Sequence, residues 1–224
     1  MRTALIITIA LCSAGMATTA QPPLEFAPPT WRGQALTTYG QWDFVTVSAP
    51  VGQQMPDVFA VVGGTGGETL YPQTPVGAVF DLNNLFPDPS GQGWTAGSQT
   101  GFMDFNLPNW IDFEPRKDIR VQMSFIDPMG MGAPSVSLIE AFDLVAFPGT
   151  SYQGSFESRT TFGPGQVYED WSILPNPDWE IIKVAVPPGV TLTQVTIDTI
   201  SWVPAPGSAV LLGFAGLTGV RRRR

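Results

Sequence analysis

The side chains on which most hydrolytic and metal chemistry depends are missing from this chain. It has no histidine, and its single cysteine, Cys12, lies in an apolar stretch near the N-terminus. Ser-His-Asp and Cys-His nucleophilic systems, HExxH zinc sites and imidazole acid–base catalysis are therefore excluded. A structural zinc site likewise lacks ligands. Carboxylates remain plentiful. Glu140, Asp143, Glu157, Glu169 and Asp170 are candidates for a glycosidase pair, which is defined by separation in space and not by spacing in sequence. Asp81, Asn83, Asn84 and Asp88 offer oxygen ligands on one loop, a candidate for a structural calcium, the one cofactor the sequence suggests. The glycine cluster Gly63-Gly64-Thr65-Gly66-Gly67 follows a strand, but no Lys-Ser/Thr follows it, and Pro72 and Pro75 forbid the helix a phosphate loop needs. It reads as a turn.

Seven tryptophans complete the inventory. Trp42, Trp171, Trp179 and Trp202 fall in strand-like runs, where core packing is the usual fate. Trp31, Trp94 and Trp110 stand among Gly and Pro, and Trp94 and Trp110 are the candidates for stacking on a sugar ring.

The elements that position these residues are strands. Gly and Pro, 24 and 22 residues, are scattered without period between runs rich in Val, Ile, Phe, Thr and Trp. Those runs are Trp42–Val47, Val58–Val62, Phe102–Leu107, Ile119–Ile126, Val136–Phe147, Tyr152–Phe162, Val167–Leu174, Trp179–Val186 and Thr191–Val203. From Ile119 to Phe125 apolar and polar residues alternate, the period of a half-buried strand. The last run places Leu192, Val195, Ile197 and Ile200 inward and Gln194, Thr196 and Asp198 outward. A change of register between Leu192 and Val195 implies a bulge. No run has a 3.6-residue period. The expected fold is all-β, an antiparallel jelly-roll-like β-sandwich over residues 31–203, preceded by a Pro-rich leader over 21–30. Asp112 to Asp118 reads as a solvated, mixed-charge turn.

The two ends have a different character. Met1-Arg2 is followed by an uncharged apolar stretch and by the small residues Ala17-Thr18-Thr19-Ala20, the three parts of a secretory signal peptide over residues 1–20. Leu11 before Cys12 argues against a lipoprotein signal. With cleavage after Ala20, or after Ala17 as second choice, the body has no cysteine and no disulfide. At the other end, Val203-Pro204-Ala205-Pro206-Gly207 precedes the uncharged run Ser208 to Val220 and then Arg221, Arg222, Arg223 and Arg224. A helix from Val203 to Val220 would rise about 27 Å, close to the roughly 30 Å apolar core of a bilayer. The terminal arginines would stay on the cytoplasmic side, so the tail reads as a stop-transfer helix.

This C-terminal layout over residues 203–224 resembles the PEP-CTERM sorting signal of exported bacterial proteins, with Ala205 where that motif usually has glutamate. A second resemblance runs through the body. Trp31-Arg32-Gly33-Gln34 with Thr38-Tyr39-Gly40-Gln41-Trp42-Asp43-Phe44, then Asn176-Pro177-Asp178-Trp179-Glu180 and Gln194-Val195-Thr196-Ile197-Asp198-Thr199, is similar to an exported family carrying this signal. The resemblance implies a β-sandwich handled by the export machinery and by the membrane sorting protease called exosortase. It implies a place at the cell surface or in the extracellular matrix, with membrane contact through the tail. It brings no established activity.

Between the two ends, six basic residues face nineteen acids, a net charge of −13. That excludes nucleic acid as a partner, because its phosphates require Lys and Arg. The expected function is a non-enzymatic structural or adhesion component of the surface. The alternatives are a carbohydrate-binding module with an exopolysaccharide ligand and, behind it, a carboxylate glycosidase.

Overall fold

The computed structural model describes residues 27–44, 54–63, 69–70, 77–111, 115–143 and 148–202. Fifteen strands follow in chain order: β1 (Thr37–Asp43), β2 (Val58–Val62), β3 (Thr69–Leu70), β4 (Gly77–Phe80), β5 (Leu85–Pro87), β6 (Trp94–Ala96), β7 (Gly101–Pro108), β8 (Trp110–Ile111), β9 (Lys117–Ile126), β10 (Ser135–Asp143), β11 (Thr150–Gln153), β12 (Ser155–Thr161), β13 (Gln166–Ile173), β14 (Trp179–Val186) and β15 (Thr191–Ser201). The expected signal peptide over 1–20, the expected sorting motif Val203–Gly207 and Arg221–Arg224 lie outside the described residues, as does most of the glycine cluster.

Two antiparallel sheets pack face to face. One has the order β12-β13-β9-β15-β1-β2, with β6 joined to β15 and β5 to β6; the other runs β11-β10-β14-β7-β4. The pairings are nested: β1 lies on β15, β7 on β14, β9 on β13 and β10 on β11. Period-2 alternation explains the core. Ile119, Val121 and Met123 point inward from β9, and Ile182, Val184 and Val186 meet them from β14. Trp42 crosses the interface edge-on to Phe105 with ring centroids 4.8 Å apart, and Trp94 lies 4.5 Å from Phe80. Such contacts between buried rings contribute beyond their area alone. At Gly93, φ is 152°, and a Cβ would lie 2.2 Å from the Leu192 carbonyl oxygen, so only glycine lets β6 sit this close to β15.

Val58–Val62 and Trp179–Val186 match the expected strands residue for residue, and the register of β15 shifts between Leu192 and Gln194, where the bulge was expected. Two expectations fail. Gln194, Thr196 and Asp198 do point away from the core, yet all three are buried. A strap over residues 27–36 crosses that face of the sheet and reaches Asp198 through Arg32: the Ala27 amide donates to Gln122 Oε1 at 2.9 Å, and Ser201 N donates to Leu36 O at 3.1 Å. Within this irregular segment, Ala27 is tied to the sheet. The mixed-charge turn is also shorter than expected. Lys117 begins β9 and is fully buried.

Candidate functional site

Across the outer face of the larger sheet, Ser158, Asp170, Arg120, Asp198 and Tyr39 stand opposite one another on β12, β13, β9, β15 and β1. Cross-strand neighbours on one face are within side-chain reach, so this row becomes a chain of charge pairs. Arg120 donates from Nε and Nη2 to the two oxygens of Asp170 at 2.7 and 2.9 Å, and its guanidinium lies 4.2 Å from the Tyr168 ring centroid. Burial pushes the Arg120 pKa down, but the bond to Asp170 and the charges of the neighbouring acids overcome this and raise it. Arg32, on the strap, donates to both oxygens of Asp198 and lies 4.1 Å from the Tyr39 ring centroid. Gln122 Nε2 completes the Asp198 environment at 3.4 Å.

The strap thereby fixes Trp31 beside the start of β9. A cleft of about 280 Å³ opens there, lined by Trp31, Arg116, Asp118, Arg120, Glu157 and Asp170 among others. Arg116 Nε bonds Asp118 Oδ1 at 2.5 Å, and its Nη2 is 3.6 Å from Glu157 Oε1. The bond to Asp118 raises the Arg116 pKa. Ser172 Oγ donates to Glu157 Oε1 at 2.5 Å, and Ser158 Oγ to Asp170 Oδ2 at 3.1 Å. Trp202 bonds Asp118 Oδ2 through its indole N–H and remains 39 % exposed. The cleft therefore combines two half-buried tryptophans, Trp31 and Trp171, with guanidinium and carboxylate groups, and the exposed Trp202 is bonded to its Asp118. Indole rings offer flat apolar faces for the C–H side of a sugar, while carboxylates accept and guanidinium groups donate hydrogen bonds to hydroxyls.

The expected stacking residues are not here. Trp94 in β6 is 1 % exposed and Trp110 in β8 is 7 % exposed, so neither presents a face to a sugar. Both occupy short strands among Gly and Pro, and their rings serve the interior. Conversely Trp202, assigned to the core from its strand-like run, is exposed. The calcium loop closes on itself. Asp81 accepts from the Asn83 amide at 3.1 Å and from Asn84 Nδ2 at 2.9 Å, and the bond from Asn84 lowers its pKa. Asp88 accepts from Ser90. Among the described residues no group of three or more Asp, Glu, His or Cys side chains is placed to hold a metal ion.

Of the glycosidase candidates, Glu157 and Asp170 come together in the cleft. Glu169 points the other way, buried between the sheets, where it accepts from the Val136 amide at 3.1 Å and pairs with Arg159. Asp143 is buried, and Glu140 lies on the outer face of the other sheet, near Asp104. On that face a depression of about 320 Å³ is lined by Val79, Phe102, Asp104 and Lys183, with the ion pair at 3.7 Å.

All six basic residues between Gln21 and Val203 are ion-paired. The most enclosed pair lies inside the sandwich. Lys117 Nζ donates to Glu180 Oε2 at 2.9 Å and lies 2.8 Å from Oε1, outside hydrogen-bonding alignment with it. Both side chains are buried, and desolvation raises the Glu180 pKa against the pull of Lys117. Lys117, Arg32 and Asp198 were not singled out from the sequence. The signal for Lys117 was present, because the odd-numbered inward positions of β9 extend back to it.

No protein-family model matches this chain, and no curated protein matches it, so the reading of the site rests on its own geometry.

Proposed function

We propose that the chain is an exported protein held at the cell surface or in the extracellular matrix, where its β-sandwich acts as an adhesion module that binds polysaccharide. The observation that carries this reading is the cleft lined by Trp31 and Trp171, with the exposed Trp202 bonded to its Asp118. Its two arginines stand against three carboxylates, a small net negative charge that suits hydroxyl-rich, weakly charged chains better than polyanions. The carboxylates of the cleft are engaged by arginine or serine, so the site is read as one that binds and does not hydrolyse. The nested strand pairing supports a jelly-roll reading of the sandwich, an architecture suited to presenting one sheet face to an extended ligand.

Export rests on the apolar stretch over 1–20 and the PEP-CTERM-like tail over 203–224, which implies exosortase as a processing partner and membrane contact through the tail. Trp202 is the last residue before the sorting motif, so the cleft sits beside the point where the tail leaves the sandwich. The test is tryptophan fluorescence of the purified protein titrated with neutral and amino polysaccharides. Saturable quenching that Trp202→Ala weakens at least tenfold, with an unchanged melting temperature, supports the reading. Quenching that is identical in the variant, or absent with every polysaccharide, removes it.

A further inference from the structure

The interior ion pair has neighbours that make it chemically more than a salt bridge. Ser201 stands directly opposite Lys117 on β15, and both are buried. Ser201 Oγ donates to Asn176 Oδ1 at 3.2 Å. Asn109 Nδ2 donates to the same oxygen at 2.7 Å and also to the Pro177 carbonyl. The Asn176 carbonyl oxygen therefore receives two hydrogen bonds, one of them from Ser201, the residue whose strand position faces Lys117. Ile173 stands opposite Lys117, and Leu107 and Ala141 stand opposite Glu180; all three are fully buried.

We propose that Lys117 and Asn176 form an intramolecular isopeptide bond, with Glu180 as the proton carrier. Glu180, already hydrogen-bonded to Lys117 Nζ, takes a proton from the ammonium. The neutral amine attacks Cγ of Asn176, and an N–C bond forms. Charge developing on Oδ1 is met by the donors already aimed at it, Asn109 Nδ2–H and Ser201 Oγ–H, which is how preorganised donors lower such a barrier. Glu180 relays protons from the attacking nitrogen to the departing one, the Cγ–Nδ2 bond breaks, and the amide nitrogen of Asn176 leaves as ammonium. Lysine ammonium and asparagine amide give a secondary amide and ammonium, so no oxidant, reductant or co-reactant is needed.

The driving force follows from burial. A lysine ammonium enclosed with one carboxylate carries a desolvation cost that its Coulomb attraction only partly offsets. The amide product has no charge to bury. The link also serves a chain whose body, from Gln21 to Val203, contains no cysteine and so no disulfide. It would tie the first residue of β9 to the turn that leads into β14, joining the two sheets covalently.

The test is proteolytic mapping of the purified full chain by tandem mass spectrometry. The proposal predicts a branched peptide joining the segment containing Lys117 to the segment containing Asn176, lighter than the two together by one ammonia. It also predicts that Glu180→Gln yields the two peptides separately. Mapping distinguishes this loss from cyclisation of an N-terminal Gln21, which loses ammonia without branching. Separate, unmodified Lys117 and Asn176 peptides from the folded wild-type protein would overturn the proposal, as would a branch to Asn109 in place of Asn176.

Discussion

Replacing Arg32 by alanine removes the clamp that holds the strap to the sheet. Asp198 is 1 % exposed, and it would lose a bidentate partner whose own side chain is 22 % exposed. Removing one member of a buried pair costs about 3–5 kcal/mol, because the remaining charge stays desolvated. Arg32 is partly hydrated and Gln122 still reaches Asp198, which points to the lower end, about 3 kcal/mol. For a domain of this size each kcal/mol moves the melting temperature by roughly 2–4 °C, so Arg32→Ala should melt about 6–12 °C lower. Scanning calorimetry at neutral pH measures this. The double variant Arg32→Met with Asp198→Leu should regain most of the loss, since a buried pair replaced by apolar side chains is close to neutral. Trp31 is the neighbour of Arg32 on the strap, so polysaccharide affinity should fall in the single variant as well. A change below about 0.5 kcal/mol, the range of an ordinary surface substitution, would refute the claim that this pair secures the strap.

Three further outcomes follow from other parts of the molecule. Desolvation raises the Asp104 pKa, with Lys183 opposing it, so the folded state holds this proton more tightly than the unfolded chain does. Its contribution is complete below the unfolded carboxylate range and is lost as pH rises through the folded value. Asp104→Asn should therefore raise stability at pH 7 by up to about 1 kcal/mol, with the difference vanishing in acid, as thermal melts across pH would show. A methyl group at Gly40 would lie 2.8 Å from Cη2 of the fully buried Trp42. Gly40→Ala should cost about 1–3 kcal/mol in urea unfolding through overpacking. Because the Asp81 carboxylate is already satisfied within its own turn, millimolar calcium or a chelator should leave the melting temperature unchanged, and Asp81→Ala should not alter that indifference.

Much of the sandwich was readable because strands with one buried face announce themselves by alternation. Ile119 to Phe125 is one such run, and the break between Leu192 and Val195 revealed the bulge. The short strands β4, β5 and β6 were not readable. Three or four residues between glycines and prolines carry no period, so Trp94 was taken for a loop residue when it is part of the core. The site was obscured for a different reason. Gln194, Thr196 and Asp198 have the polarity of a solvent-facing row, yet they are buried, and Asp198 is held by Arg32 from a strap distant in sequence. Arg32 and Asp198 are 166 residues apart, and Lys117 and Glu180 are 63 apart, and the structure joins each pair. Such pairings depend on tertiary contacts that no local spacing encodes.

The most direct test of the central claim is to recover the protein from its native host and determine its termini, its fraction and what releases it. The account predicts a species that begins at Gln21, lacks Arg221–Arg224, resides in the surface or matrix fraction, and is freed by digesting the matrix polysaccharide. A chain that retains residues 1–20 and Arg221–Arg224 inside the cell, or one whose surface retention is indifferent to polysaccharide digestion, would contradict it.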